Sequence, residues 1–264
     1  MVEYGKILGD ALRFGVEPRR WLPVLVLDAV AFLLAFSYLM SNALAIQQLV
    51  QGNINALLMA SSVAGMVGMI SLVFIIWSLL RLYIVGALIH QSVKPKEYDK
   101  SWKVSKERYG SILGVGIVVG VISGIVSMVP YVGWVFSIIV SLMFFFAMQI
   151  AIAKKSKFDE ALRESYGIFR KETVNVFIAW ILTSILGGVI IMVFMIPMMA
   201  TIWSIMLPAM MTMQANSNGI EVLSMLIMNG WTVVPAAIVY LVGLAYVTVF
   251  SANAQTNFYL KMKK

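Results

Sequence analysis

The chain has 264 residues, of which 61% are hydrophobic and only 12% charged, and its mean hydropathy is +0.91. Soluble domains run nearer half apolar and a quarter charged, so an ordinary soluble globule is excluded. Cysteine is absent, which removes disulfides, thiolate metal sites and cysteine nucleophiles. The formal net charge of +8 suggests nucleic acid as a partner only until the charges are placed along the chain.

The first apolar run begins near Trp21, behind a charged segment, and continues too long for the apolar region of a signal peptide. A membrane crossing needs about 20 apolar residues, and this run supplies them to about Met40. A second span is read from about Ala60 to Ile89. The third and fourth form a hairpin, Ser111 to Val129 and Val132 to Ala153, joined by the turn PYVGW. A fifth begins near Val174, and a sixth covers Val233 to Ala252. The expected fold is therefore all-α: a polytopic membrane protein with six transmembrane helices, forming a single domain over 1–264.

The fifth span poses a problem of length. No charge occurs from Thr173 to Ile220, roughly twice what one crossing requires. Two crossings here would leave the basic C-terminus on the opposite side from the other basic segments. Because proline removes a backbone donor and breaks or kinks helices, the helix is expected to end near Pro197. The run 198–213, which includes Pro208, would then lie in or dip into the outer face, and Leu223 to Met228 would form a further outer turn. The stretch MVFMIPMMATIWSIMLPAMMTM is rich in methionine. Thioethers select soft Cu(I), but here they have no sustained spacing and no histidine nearby. Filling of irregular apolar gaps is the preferred reading, then an adaptable contact surface, with metal last.

Charge divides the loops into two classes. Lys6, Arg13, Arg19 and Arg20 precede span one. Lys94, Lys96, Lys100, Lys103, Lys106 and Arg108 separate spans two and three. Lys154, Lys155, Lys157, Arg163, Arg170 and Lys171 separate four and five, and Lys261, Lys263 and Lys264 close the chain. The alternate loops contain no Lys or Arg, and Glu221 is their one charged residue. Basic loops are retained on the cytoplasmic side during insertion, so a multi-pass protein of the cell membrane with both termini cytoplasmic is expected. The net charge is a bilayer signature, and nucleic acid loses its support.

The three basic segments before spans one, three and five share a helical period. Tyr4, Leu8, Ala11 and Gly15 fall on one face, as do Tyr98, Trp102, Ser105 and Tyr109, and Phe158, Leu162, Ser165 and Phe169. They are read as three amphipathic cytoplasmic surface helices, apolar face down on the membrane. Arg19, Arg20, Lys100, Lys103, Lys106, Arg108, Arg170 and Lys171 would turn toward anionic headgroups. A weak repeat with units 3–92, 98–153 and 158–252 is as compatible with this pattern as chance.

The opening ALRFGVEPRRWLPVLVLD, the GALIHQS leading out of span two and the later ALRESYGIFRKE resemble a group of prokaryotic, mainly archaeal, six-span membrane proteins of uncharacterised role. That group is similar to the membrane domain joined to some bacterial glycerophosphodiester phosphodiesterases. The resemblance implies an integral membrane fold and dealings with lipid. It transfers no active site.

Chemistry-bearing residues are few. Asp28 and Arg81 are the charged residues inside apolar spans, at similar depths from the inner side, and their pairing as an intramembrane ion pair is expected. Such a charge costs at least about 2.5–3.5 kcal/mol on insertion scales. The alternatives are a gate or ion site in a transport path, or a pair that only pins two helices. Asp28, Ala31, Ala35 and Tyr38 share a face of span one, and Gly68, Ser71, Ser78 and Arg81 a face of span two. Gly116, Gly120 and Gly124 open a groove on span three for close helix packing, with an intramolecular partner preferred. His90 is the one histidine and is read as packing. No metal site, cofactor, Walker loop or catalytic motif is expected. The amide-rich stretch SNALAIQQLVQGNINALL is read as a solvated interfacial helix.

The functional expectation is a non-enzymatic module that organises membrane lipid or a partner protein, with a second copy of the chain among the candidate partners. The alternative is a transporter or channel for a small or amphipathic solute near Asp28 and Arg81. A lipid-handling enzyme stands well behind both.

Overall fold

The structure is a computed structural model, and it describes residues 2–42, 56–212 and 229–263. Among these residues the chain is helical throughout and contains no strand. In order, the helices are α1 (Tyr4–Val16), α2 (Pro18–Ser41), α3 (Ala56–Val93), α4 (Tyr98–Ser127), α5 (Gly133–Met143), α6 (Ala147–Ala153), α7 (Phe158–Lys171), α8 (Thr173–Thr212) and α9 (Gly230–Met262). Six stretches are long and apolar enough to cross a membrane: Pro18–Ser41, Val63–Val93, Tyr98–Ser127, Gly133–Ala153, Thr173–Leu207 and Gly230–Met262. The fold is thus that of an all-α polytopic membrane protein. The expected turn at 223–228 and most of the amide-rich stretch lie outside the described residues.

Three features differ from the sequence reading. First, the fifth span does not stop at Pro197, because α8 runs unbroken from Thr173 to Thr212. Its 40 residues rise about 60 Å, roughly twice the hydrocarbon thickness of a bilayer. Proline inside a helix forfeits one backbone bond, a loss that membrane helices tolerate where the freed groups find partners. Pro23 and Pro235 likewise sit inside α2 and α9. Two hydroxyls beyond Pro197 bond within the helix: Thr201 Oγ1 donates to Pro197 O (2.9 Å) and Ser204 Oγ to Thr201 O (2.7 Å). Of its methionines, Met192 is 65% and Met199 41% exposed, while Met195, Met198 and Met206 are partly buried.

Second, the basic segment before span three is no separate surface helix. It is the first part of α4, which continues from Tyr98 to Ser127 because nothing between Lys106 and Gly116 interrupts the helical period. Third, span four is interrupted. α5 ends at Met143 and α6 begins at Ala147, with a turn over Phe144, Phe145 and Phe146.

The contacts divide the chain into two compact units. The first comprises Met1–Val24, Leu79–Val189 and Tyr246–Lys264, and the second Leu25–Ser78 and Ile190–Ala245. The first unit holds a dense core in which Ile7 and Ala11 of α1 join Phe146 and Ile150 of the broken span, Ala161 and Ile168 of α7, and Phe250, Phe258 and Tyr259 of α9. In the second unit, Phe36 stacks on Phe32 and meets Trp231 edge to face at 5.2 Å. Gly243 lies so close to Phe194 that a β-carbon there would collide with the ring's own Cβ. Glycine here lets α9 and α8 approach backbone to side chain, as small residues do in membrane bundles.

Candidate lipid-facing and intramembrane sites

The basic helices are oriented by what they bury. α1 buries Ile7, Ala11 and Phe14, α4 buries Ser101, Val104 and Ser105, and α7 buries Ala161, Ser165 and Ile168. These positions recur every three or four residues, the spacing of one helix face. The sequence reading laid this face on the membrane. The structure turns the faces of α1 and α7 to the protein core of the first unit, and that of α4 against α3, where Ser101 meets His90 and Ser105 meets Tyr83. Burial against protein is the stronger demand because Ser101, Ser105 and Ser165, which carry hydroxyls, need partners that lipid tails cannot supply.

Two of those serines bond backbone groups of another helix. Ser165 Oγ donates to Met143 O (3.0 Å) and accepts from Phe146 N–H (3.2 Å). It therefore satisfies both a carbonyl and an amide left open where span four is interrupted. Ser105 Oγ donates to Tyr83 O (2.5 Å) in α3, at the same 22-residue offset that separates Ser165 from Met143. Gly86 makes room for this contact, since a β-carbon there would lie 2.5 Å from Ser105 Oγ. Sequence reading saw both serines as members of a polar-apolar face and missed their role as clamps. Their matching positions in the two basic segments carried the signal.

The opposite faces carry the basic residues. Arg19, Lys103, Lys106, Arg170 and Lys171 are exposed, and the Lys100 side chain is 62% exposed while pairing with Glu97 at 3.2 Å. Arg108 is half-buried. Arg20 is spent on protein: its guanidinium lies 3.5 Å over the Phe14 ring, donates to Phe14 O (3.1 Å) and pairs with Glu17 at 2.7 Å. These contacts close the α1–α2 turn, where Pro18 occupies the first helical position as its fixed φ favours. α7 carries Asp159 and Glu160 in its first turn and Arg170 and Lys171 in its last, matching the helix dipole at both ends.

Glu97 sits at the start of α4 between Lys94 and Lys100, 3.2 Å from each ammonium. Hydrogen bonds from Lys100 first and Lys94 second hold its carboxyl below the usual range. At the N-terminal helix, the Tyr4 hydroxyl donates to Asn175 Oδ1 (2.6 Å), whose amide donates to Glu172 (2.6 Å). Burial, and then the nearby Glu172 charge, push the Tyr4 phenol above its ordinary value.

Within the spans, Asp28 is 4% exposed and accepts a 2.7 Å hydrogen bond from the Trp77 indole. Arg81 Nη2 donates to Thr248 Oγ1 at 2.7 Å. Asp28 belongs to the second unit and Arg81 to the first. Trp77 and Thr248 were not singled out from the sequence, where neither residue type marks a partner for a charge. His90 is buried, with Nδ1 3.0 Å from Ser101 Oγ, and that hydroxyl donates to Glu97 O (2.8 Å). The direction of the His90–Ser101 bond follows the imidazole tautomer. Among the described residues, no three His, Asp or Glu side chains converge as a metal site requires.

The three glycines of α4 do not behave alike. A β-carbon at Gly116 would touch Leu82 at 3.5 Å, an ordinary contact. At Gly120 and Gly124 it would meet nothing within 4 Å among the described residues. Among the described residues, a neighbour within ordinary contact is thus found at Gly116 and not at Gly120 or Gly124. Comparison with family models, curated proteins and solved structures gives no match. What the fold and these sites define is a class: an integral membrane protein of six apolar helices.

Proposed function

We propose that the chain is a non-enzymatic membrane module that organises anionic lipid, or a partner protein carrying equivalent negative charge, at the cytoplasmic face of the cell membrane. Both termini lie on that side in this reading. The observation that carries it is the mounting of the basic residues. The buried faces of α1 and α7 are anchored in a protein core and that of α4 against α3, so Lys103, Lys106, Arg170 and Lys171 are held exposed on fixed helices. A basic residue near an anionic bilayer surface contributes about 1 kcal/mol. The resemblance of ALRESYGIFRKE and GALIHQS to the six-span membrane group of uncharacterised role, which implies dealings with lipid, supports the same reading.

The test compares the detergent-solubilised protein with a variant in which Lys100, Lys103 and Lys106 are changed to Gln. Added phosphatidylglycerol should raise the unfolding temperature of the parent more than that of the variant, and phosphatidylcholine should not distinguish them. Equal stabilisation by phosphatidylglycerol would reject the basic face as the lipid contact.

A second reading, a transport path for a small or amphipathic solute, rests on Asp28, a carboxylate buried inside an apolar span. Intramembrane charges mark ion and substrate routes more often than they decorate them. In liposomes, flux that is lost in Asp28→Asn and in Arg81→Gln and returns in the charge swap would favour transport. No flux of ions or amphiphiles in the parent protein would remove it.

A further inference from the structure

The second unit contains a cleft of about 460 Å³ between α2 and α3. Its walls are Leu34, Ala35 and Ser37 on one side and Met69, Ile70 and Val73 on the other, and among the described residues no charged side chain lines it. One end carries the hydroxyls of Tyr38 and Ser41. The cleft is open to the surface at Leu34, 58% exposed, and Met69, 45% exposed. Both belong to stretches long and apolar enough to cross a membrane. The medium beside that opening is therefore lipid.

We propose that this cleft holds one hydrocarbon chain of a membrane glycerolipid, with the Tyr38 hydroxyl donating to an oxygen near the lipid's glycerol. Three observations select this occupant. The volume falls in the range of ligand sites, about 300–1,000 Å³, but one turn of helix about 10 Å wide and 5.4 Å long already fills about 420 Å³. A thread enters and a second helix does not. Apart from the Ser37 hydroxyl the walls between Leu34 and Val73 are aliphatic and thioether groups, to which a hydrocarbon chain is better matched than a polar solute. Finally, the hydroxyls are placed for a lipid. Tyr38 lies three residues before the end of α2, about 4.5 Å along the axis, at the depth where tyrosine meets the headgroup region. Ser41 Oγ is engaged with Tyr38 O (2.8 Å), whereas the phenol hydroxyl of Tyr38 has no partner among the described residues. A lipid oxygen would complete it. The inference rests on the membrane-spanning fold and is separate from the basic-face reading.

A phosphatidylglycerol carrying a photoactivatable diazirine on its acyl chain tests it, with the adducts mapped by mass spectrometry on protein reconstituted in bilayers. Adducts on 34–41 and 69–73 should exceed by several-fold those on Val121 and Ile125, which are 55% and 64% exposed on α4 and report ordinary contact with bulk lipid. Ala35→Trp and Val73→Trp, which fill the cleft from either wall, should each abolish the excess while helix content is retained. Tyr38→Phe should lower it about two- to tenfold, the worth of one hydrogen bond. Labelling of the cleft no greater than that of Val121 and Ile125 would overturn the proposal, as would an excess that survives both Trp variants. The Lys100, Lys103 and Lys106 variant should leave the cleft adducts unchanged, so failure of the basic-face reading and failure of this one are told apart.

Discussion

Ser165→Ala is the most informative single perturbation of the fold. The side chain is 1% exposed and its one oxygen serves two backbone groups, Met143 O at 3.0 Å and Phe146 N–H at 3.2 Å. Both groups sit where span four is interrupted, so no helical partner replaces the lost oxygen. Alanine preserves the packing volume and leaves a carbonyl and an amide unpaired. Each buried orphan costs about 1–3 kcal/mol, so an expected loss of about 2–6 kcal/mol follows. That is a large part of the roughly 5–15 kcal/mol that holds a typical fold. Ser105→Ala removes only a donor to Tyr83 O, which lies inside the unbroken α3, and should cost about 1 kcal/mol. Ser141→Ala provides the baseline, because that hydroxyl bonds only to Ile138 O within its own helix. Unfolding free energies of the four proteins in bicelles, obtained by steric trapping, give the order directly. If Ser165→Ala costs no more than Ser141→Ala, the hydroxyl is not what holds the interruption, and the argument from orphaned backbone groups fails.

Three further expectations address the other sites. Trp77→Phe removes the indole donor to the buried Asp28 and should destabilise by about 1.5–3 kcal/mol, the worth of a bond to a charged group. Trp203→Phe, at a residue 52% exposed, should be close to neutral by the same measurement, and equal effects would dismiss the bond. Gly243→Val should cost about 1–3 kcal/mol by overpacking against Phe194. Gly120→Val, with nothing within 4 Å among the described residues, should be nearly silent in thermal unfolding, and a matching loss there would reveal a partner. Glu97→Gln should free Lys94 and Lys100 and strengthen stabilisation by phosphatidylglycerol at neutral pH. Because the Glu97 carboxyl is held below its ordinary range, its pairing is present above the unfolded value and is lost as pH falls through the lowered folded one. The parent and Glu97→Gln should therefore converge in strongly acidic solution, and a difference that persists there would contradict the assignment.

The sequence by itself determined the membrane class, the number of apolar spans and the sorting of basic and uncharged loops. These follow from local quantities: an apolar run about 20 residues long and the presence or absence of Lys and Arg within each connection. The helical period also placed Ala11, Ser105 and Ser165 on one face of their segments, and all three are buried. What that face touches was not legible, because periodicity reports a direction and not a neighbour. Only tertiary structure decided that the face meets a protein core, that Arg20 is consumed by Phe14 and Glu17 while Lys103 and Lys106 stay exposed, and that Asp28 is met by Trp77. Local rules also misplaced two helix ends. Pro197 does not end α8, because losing one bond is a small penalty where lipid offers the backbone no alternative to a helix. Nothing in GWVFSIIVSLMFFFAMQIAIA marks the interruption of span four, because the groups that stabilise it come from Ser165 on another helix.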